Sequence, residues 1–466
     1  MPVTATTIMA TANTIPVRGW APARLALASA IETGTRASTP ATTWMGSSMT
    51  IWRWCCSGTN AHRSVKAPPV VCRPMDMVVI GGVGHVGLPF GLVAADRGHQ
   101  VVAYDLDSTT VDRVNAGEMP FMEAGAPELL ERVLAAGTFT ASTDPSTVSV
   151  AEVVVVVIGT PVDEHLNPDP SAVVDALVQL DGQFRAGQLV ILRSTVFPGV
   201  TRKVEVWFAE HHSEVSVAFC PERIAEGFAI EEIIALPQLV GARSKVAADR
   251  AAAFFTSLGV VTIPVLPEEA ELAKLFTNTW RYIKFAAANQ FWMMANEFGV
   301  DFERVRTAIT TDYPRASDMP GAGFAAGPCL FKDTMQLAAF SDNSFALGNA
   351  AMMINEGLPL YLIKRIEAEH DLSTMTVGIL GMAFKGDIDD NRSSLSYKLR
   401  KLLIFRAAHV LCADPYVVDD RLVTEDEVLA DADLVVIATP HAGYRSLSFR
   451  QPVIDLWNLT GQGVLI

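Results

Sequence analysis

MVVIGGVGHVGLPFGLVAADRGHQVVAYDLD, residues 77–107, reads as strand, glycine turn, helix and second strand. Its glycines, Gly82, Gly84 and Gly87, form a G-x-G-x-x-G. The first permits a tight turn, the second lets the backbone approach a pyrophosphate, and the third lets helix pack on strand, with the helix N-terminus facing the phosphates. Such a triplet alone often only makes turns. Here a strand precedes it, a helix follows, and an acid, Asp105, closes the second strand, which selects a dinucleotide site. The expected cradle is Gly82, Val83, Gly84, His85, Val86 and Gly87. Asp105 would accept from ribose hydroxyls and repel a 2′-phosphate, so NAD is expected rather than NADP.

The alternation of strand and helix continues outward. AEVVVVVIGTP (151–161), QLVILRSTVFPGVTRKV (188–204) and VSVAFCPERIAEG (215–227) each read as a buried strand running into polar residues: Thr160, then Ser194 and Thr195, then Glu222 and Glu226. A single hydroxyl there is commonly a helix cap and a single acid a solvated loop residue. Three such clusters at carboxyl ends of one predicted sheet favour a ligand edge. Residues 268–299 read as one helix of about 45 Å. Leu272, Leu275, Phe276, Thr279, Ile283, Ala286, Ala287, Gln290 and Met294 are expected on its packed side, with Glu271, Lys274, Asn278 and Arg281 as a separate polar stripe. So apolar a helix is expected to pack against a second subunit. A further strand–loop–helix unit spans 375–403, with later strands at 407–415 and 432–440.

Composition excludes other classes. A net charge of −15 argues against a nucleic-acid partner. No apolar run is long enough to span a bilayer. Six cysteines at irregular spacing show neither a disulfide framework nor a CxxC metal pattern, which suits a cytoplasmic chain. Residues 1–74 differ from the rest: Glu32 is their only acid, and Trp20, Trp44, Trp52 and Trp54 are half of the tryptophans. An Arg- and Ser-rich, acid-poor start fits an organelle transit peptide. The reading preferred is that the fold begins at Met75 or Met77 and this leader is dispensable.

GFAAGPCLFKD (323–333) sets Cys329 among small residues, with Lys332 and Asp333 beyond it. Together with GTP (159–161), STV (194–196), PERIAEG (221–227), ELAKLFTN (271–278) and GMAFKGDIDDNRSS (381–394), it resembles the UDP-glucose/GDP-mannose dehydrogenase family across 77 to about 460. The resemblance implies an α/β fold with an N-terminal Rossmann NAD-binding domain (75–265), a central helical domain (266–370) and a C-terminal Rossmann-like UDP-binding domain (371–466). It implies four-electron oxidation of a sugar CH2OH with two NAD+. Cys329 is then the nucleophile, its thiolate favoured by a nearby cation. Lys274 and Asn278 steady oxyanions, Asp333 positions the proton-transfer water, and Glu226 and Thr195 lie near that water and the nicotinamide. Thr160, Lys332 and Arg392 join the cofactor set. Glu222, Phe324, Gly327, Phe384 and Lys385 serve the UDP-sugar, and Arg315 reaches it from a neighbouring subunit of a homodimer. The sequence departs from the family at Ala326, where many members have glycine, and at Thr110, where several have a basic residue. PERIAEG is similar to enzymes of UDP-N-acetylhexosamines and CLFKDTMQL to those of UDP-glucose. A two-electron hydroxyacid dehydrogenase of similar layout and a non-catalytic NAD-binding protein are the alternatives, and neither needs Lys274, Asn278, Cys329 and Asp333 together.

Overall fold

The computed structural model describes residues 73–160, 163 and 169–466. The leader's first 72 residues, and with them its expected dispensability, lie outside the described residues.

The opening stretch folds as expected. β1 (Asp76–Ile80) pairs in parallel with β2 (Gln100–Tyr104), and the helix Gly87–Asp96 crosses between them. Met77 through Ile80 are all buried, because helices cover both faces of a parallel sheet. Each such side chain contributes about 1.5–3 kcal/mol when removed from water. β3 (Phe139–Ser142), β4 (Val153–Val156), β5 (Leu189–Leu192), β6 (Ser216–Phe219), β7 (Gln238–Gly241) and β8 (Thr262–Val265) complete a sheet in the order β3-β2-β1-β4-β5-β6-β7-β8. β7 runs antiparallel to β6, and all other pairs are parallel. The order reverses at β1, so the glycine turn sits at the switch point where such sheets bind ligands.

The second sheet has the order β10-β9-β11-β12, from β9 (Thr376–Leu380), β10 (His409–Ala413), β11 (Leu434–Ile437) and β12 (Val453–Asp455). β12 had no clear signal, since only three residues pair.

Between the sheets runs the helix Pro267–Phe298. Pro267 needs no amide partner in a first turn, Glu269 accepts from Leu266 N at 2.7 Å, and Gly299 ends the helix at φ +78°. The expected packed side is wrong in part. Phe276 and Met294 are more than half exposed, whereas Glu271, Lys274, Leu275, Asn278, Thr279, Tyr282, Asn289, Trp292 and Asn296 are buried. Three of the four stripe residues, Glu271, Lys274 and Asn278, face inward, and polar groups along the helix bond to several parts of the fold. The Glu271 carboxylate accepts from Gly199 N (2.7 Å) and Thr201 N (2.8 Å), capping the helix Val200–His211. Asn289 exchanges two bonds with Gly323, Oδ1 accepting at 2.9 Å and Nδ2 donating at 3.0 Å. Trp292 Nε1 donates to Val464 O, and Asn296 Oδ1 accepts from Ile466 N, each at 2.8 Å. Trp457, just past β12, lies against Gly323: a Cβ there would meet its ring at 2.3 Å.

Candidate functional site

The glycine turn is built with one revision. Gly81, outside the G-x-G-x-x-G, takes the left-handed conformation (φ +76°), and an added Cβ would sit 2.1 Å from Val157 O. Gly81, not Gly82, therefore makes the sharp turn. Gly82 lets the turn press on β2, with Ala103 Cα 2.6 Å from its notional Cβ. Gly87 lets the helix approach Gly81 O. A Cβ on Gly84 would meet nothing nearer than 3.8 Å, so that side of the turn is open, as a pyrophosphate needs. Asp105 Oδ1 accepts from Leu106 N at 2.8 Å, and Oδ2 faces Val83 N at 3.3 Å. The carboxylate thus stands beside the turn where a ribose would lie. Thr110, the departure from the family pattern, bonds to the helix cap Asp107 at 2.6 Å. These residues fit a dinucleotide.

Cys329 is the N-cap of the helix Leu330–Phe340, which puts its sulfur at the positive end of a helix dipole. Asp333, one turn on, is fully buried and accepts from Asn278 Nδ2 at 2.6 Å. Its other oxygen, Oδ1, has no hydrogen bond and has Lys332 Nζ at 3.7 Å. Lys332 Nζ also lies 3.4 Å from Thr160 Oγ1, and Thr160 donates to Thr195 O at 2.5 Å. A continuous polar chain therefore runs from Asn278 through Asp333, Lys332 and Thr160 to Thr195 at the end of β5.

The charges around Cys329 oppose one another. Solvent reaches Cys329, yet protein surrounds its sulfur, and that burial pushes the thiol above its ordinary value. Asp333 and Glu226 push the same way, and Lys274 and Lys332 oppose them without prevailing. Lys274 is itself held below its usual range by burial, against the charges of Asp333 and Cys329. By contrast Cys220 and Cys412 are buried among apolar residues, as core cysteines should be.

Loops from both sheets meet at Glu226. His85 Nδ1 is 3.0 Å from its Oε1, Arg392 Nη2 is 3.9 Å from its Oε2, and Lys385 Nζ donates to its carbonyl at 2.8 Å. Arg392 also grips Asp390 with two nitrogens. Phe384 covers Gly327, where a Cβ would lie 2.6 Å from the ring, at φ +98°. Phe324 is buried in the core beneath the loop rather than on its open side. Val86 precedes the helix Gly87–Asp96 with no side-chain cap.

One expected residue is placed elsewhere. Glu222 forms a buried ion pair with Arg193 and accepts from Arg223 N and Ile224 N at 2.6 and 2.9 Å, so its carboxylate is committed to its own loop. The sequence reading missed Arg193, a buried guanidinium 4.2 Å from the centre of the Phe90 ring. Its signal was an arginine directly after an apolar strand. Arg315 is exposed and touches only its neighbour Tyr313 among the described residues. Also missed was His441, one residue beyond the strand ending ATP (438–440). It is fully buried, bonds to Asp414 at 3.0 Å and takes the amide proton of Asp387 at 2.9 Å.

Comparison with known proteins gives three family models in chain order. The NAD binding domain of the UDP-glucose/GDP-mannose dehydrogenase family matches 75–259, the central domain 268–357 and the UDP binding domain 378–462. The chain is 30% identical over 387 residues to a UDP-N-acetyl-D-mannosamine dehydrogenase of Pyrococcus horikoshii, covering 80% of this chain and 91% of that protein. It is 26% identical over 395 residues to an NDP-N-acetyl-D-galactosaminuronic acid dehydrogenase of Ralstonia solanacearum, covering 79% and 92%. Among solved structures, a UDP-glucose dehydrogenase from Pyrobaculum islandicum matches with a TM-score of 0.76 at 29% identity, covering 84% of this chain and 95% of that one. Among the described residues no helix is long and apolar enough to cross a membrane. With all three domains matched in order, the chain belongs to the UDP-glucose/GDP-mannose dehydrogenase family, NAD-dependent dehydrogenases of nucleotide sugars.

Proposed function

We propose that this protein oxidises the C6 hydroxymethyl of a UDP-sugar to the carboxylate through a covalent bond to Cys329, as a step in making polysaccharide precursors. The observation that carries the reading is the polar chain from Asn278 to Thr195, which ties the Cys329 helix to the cofactor edge of the first sheet. NAD supplies the hydride acceptor at each of the two oxidations. The first leaves an aldehyde, which has no second hydride to give until a nucleophile adds to its carbon. Cys329 adds there as thiolate, its proton leaving to a base in the cleft, and gives a thiohemiacetal. Loss of the second hydride leaves a thioester, which water cleaves to the acid and the free thiol. Lys274 and Asn278 steady the oxygen that carries negative charge, and Asp333, buried beside them, holds the water. Glu226 or Asp333 takes the proton that the thiol gives up as it adds. Thr160, Thr195, Lys332 and Arg392 hold the cofactor side, and Gly327, Phe384 and Lys385 the UDP-sugar side.

The domain boundaries proposed are 75–265, 266–370 and 371–466. The sugar proposed is a UDP-N-acetylhexosamine, after the UDP-N-acetylmannosamine and N-acetylgalactosamine enzymes among the relatives, with UDP-glucose as the competitor. A second copy of the chain is proposed to cover the long helix. Phe276, Trp280, Phe291, Met294 and Phe298 are each 46–85% exposed and share one face with Ala287, over about 33 Å. A reducing cytoplasm is the proposed location, since Cys329 must stay a thiol. The test is NADH released per sugar consumed, with UDP-glucose, UDP-N-acetylmannosamine and UDP-N-acetylgalactosamine assayed in parallel. Two NADH per sugar supports the reading. One NADH, or none with any of them, rejects it.

A further inference from the structure

Both sheets follow a strand–turn–helix–strand unit with an acid: Asp105 directly after β2 and Asp414 directly after β10. The two acids face different ways. Asp105 stands beside an open turn, whereas the side chain of Asp414 is wholly buried. Asp414 Oδ2 accepts from Met382 N at 2.6 Å and Ala383 N at 2.9 Å, and Oδ1 from Tyr416 N at 2.9 Å and Val417 N at 3.0 Å. His441 Nε2, 3.0 Å from Oδ2, completes the set, so no lone pair is left for a ribose hydroxyl.

His441 joins this acid to the far end of the same turn. Its Nδ1 takes the Asp387 N–H at 2.9 Å. An amide nitrogen only donates, so Nδ1 is the bare acceptor and the ring proton sits on Nε2, aimed at Asp414. Asp387 has φ +59°, left-handed backbone that strains a residue with a side chain, and its Oδ1 accepts from Ala442 N at 2.9 Å. Thr439 Oγ1 donates to Ala383 O at 2.6 Å, and a Cβ on Gly386 would lie 2.4 Å from Pro440 O. The turn 382–387 is therefore clamped at both ends by the segments that follow β10 and β11.

Between the clamps stand two residues that reach the candidate site. Phe384 covers Gly327 in the Cys329 loop, and Lys385 Nζ donates to Glu226 O at 2.8 Å. Apolar side chains would fill the crevice at less cost than a buried carboxylate and imidazole. What the polar pair adds is direction. We propose that His441 and Asp414 are positioning residues, which touch no substrate and hold the 382–387 turn so that Phe384 and Lys385 meet the UDP end of the substrate. This rests on the UDP-sugar reading of those two residues.

Binding to the full protein tests it, with UDP and NAD as the probes. His441→Gln keeps a donor where Nε2 stands and loses the acceptor for Asp387. His441→Asn keeps an acceptor near the place of Nδ1 and loses the donor to Asp414. The first should weaken UDP binding about tenfold with little loss of stability to urea, and the second should lose stability and keep UDP affinity within about threefold. NAD binding should hold in both. UDP affinity unchanged in His441→Gln, or falling in step with stability in both variants, overturns the proposal. Hydrogen exchange of the unaltered protein needs no variant: the Asp387 amide should be protected, and exchange at the rate of an exposed amide overturns the clamp. If the unaltered protein does not bind UDP, the UDP-sugar reading itself has failed, and the proposal goes with it.

Discussion

Asn278 donates its side-chain amide to Asp333 Oδ2 at 2.6 Å, and this bond joins the long helix to the helix that Cys329 caps. The negative charge of Asp333 also disfavours the thiolate of Cys329. Asp333→Asn can keep an oxygen towards Asn278 while losing that charge. The thiol should then ionise at lower pH and react faster with iodoacetamide at pH 7, while turnover falls by about a hundredfold or more. Lys274→Met removes a charge of opposite sign and should slow the alkylation. Peptide mass and NADH release read both effects. Equal alkylation rates in all three proteins would show that these charges do not reach the sulfur.

Cys329→Ser separates the chemistry from the fold. A serine hydroxyl is a weaker nucleophile near neutral pH, and an oxygen ester is cleaved less readily than a thioester. Acid formation should be strongly impaired, with a sugar ester accumulating on the peptide that contains residue 329. Cys220→Ser and Cys412→Ser should keep turnover, provided they fold. Normal two-NADH turnover in Cys329→Ser would remove the thioester route.

Asp105→Ala should weaken NAD binding by about tenfold or more, as a hydrogen bond to a charged group is lost. It should also relax the preference against NADP. Cofactor titration of the free protein measures this directly. The same variant frees Val83 N and Leu106 N, so part of the loss comes from a looser turn.

Acid stability should depend on Asp414. Burial alone would raise its carboxyl. Bonds from His441 and from the amides of Ala383 and Tyr416 outweigh that and bring it down to about 2. Its unfolded value is near 3.9, so the native state binds this proton less readily. The stabilisation is complete above about pH 5 and is lost as pH falls towards 2, and is on the order of 2 kcal/mol. Urea unfolding at pH 7 and about pH 2.5 should show a smaller difference in Asp414→Asn than in the unaltered protein.

Placing a charge on the exposed stripe tests the assembly. Phe291→Glu with Met294→Glu should give a monomer of unchanged circular dichroism by light scattering. A dimer that survives both substitutions would place the interface elsewhere.

The sequence was most legible where backbone chemistry decides the outcome. A glycine turn followed by a helix and closed by Asp105 leaves few foldings open, and the apolar runs 153–156 and 189–192 can only be buried strands. The long helix was visible in extent but not in orientation. Hydropathy placed Phe276 inward, whereas it is more than half exposed, and the polar stripe carried no sign of which partners bury Lys274. Glu222 and Glu226 look alike four residues apart. Only the buried Arg193, from another strand, claims one of them. Pairings such as His441 with Asp414 join separate strand ends, and no local pattern carries them.

The contact of Trp457 with Gly323 also sets an order in time. On the ribosome, Cys329 and its loop emerge long before Trp457. Until β12 has been made and has joined β11, the ring that flanks Gly323 is absent and Trp292 lacks the carbonyl of Val464. Until then the Cys329 loop is held by Asn289 and Phe384 without that last contact. A chain cut short before Trp457 would lack this contact with the residues of the candidate site already made.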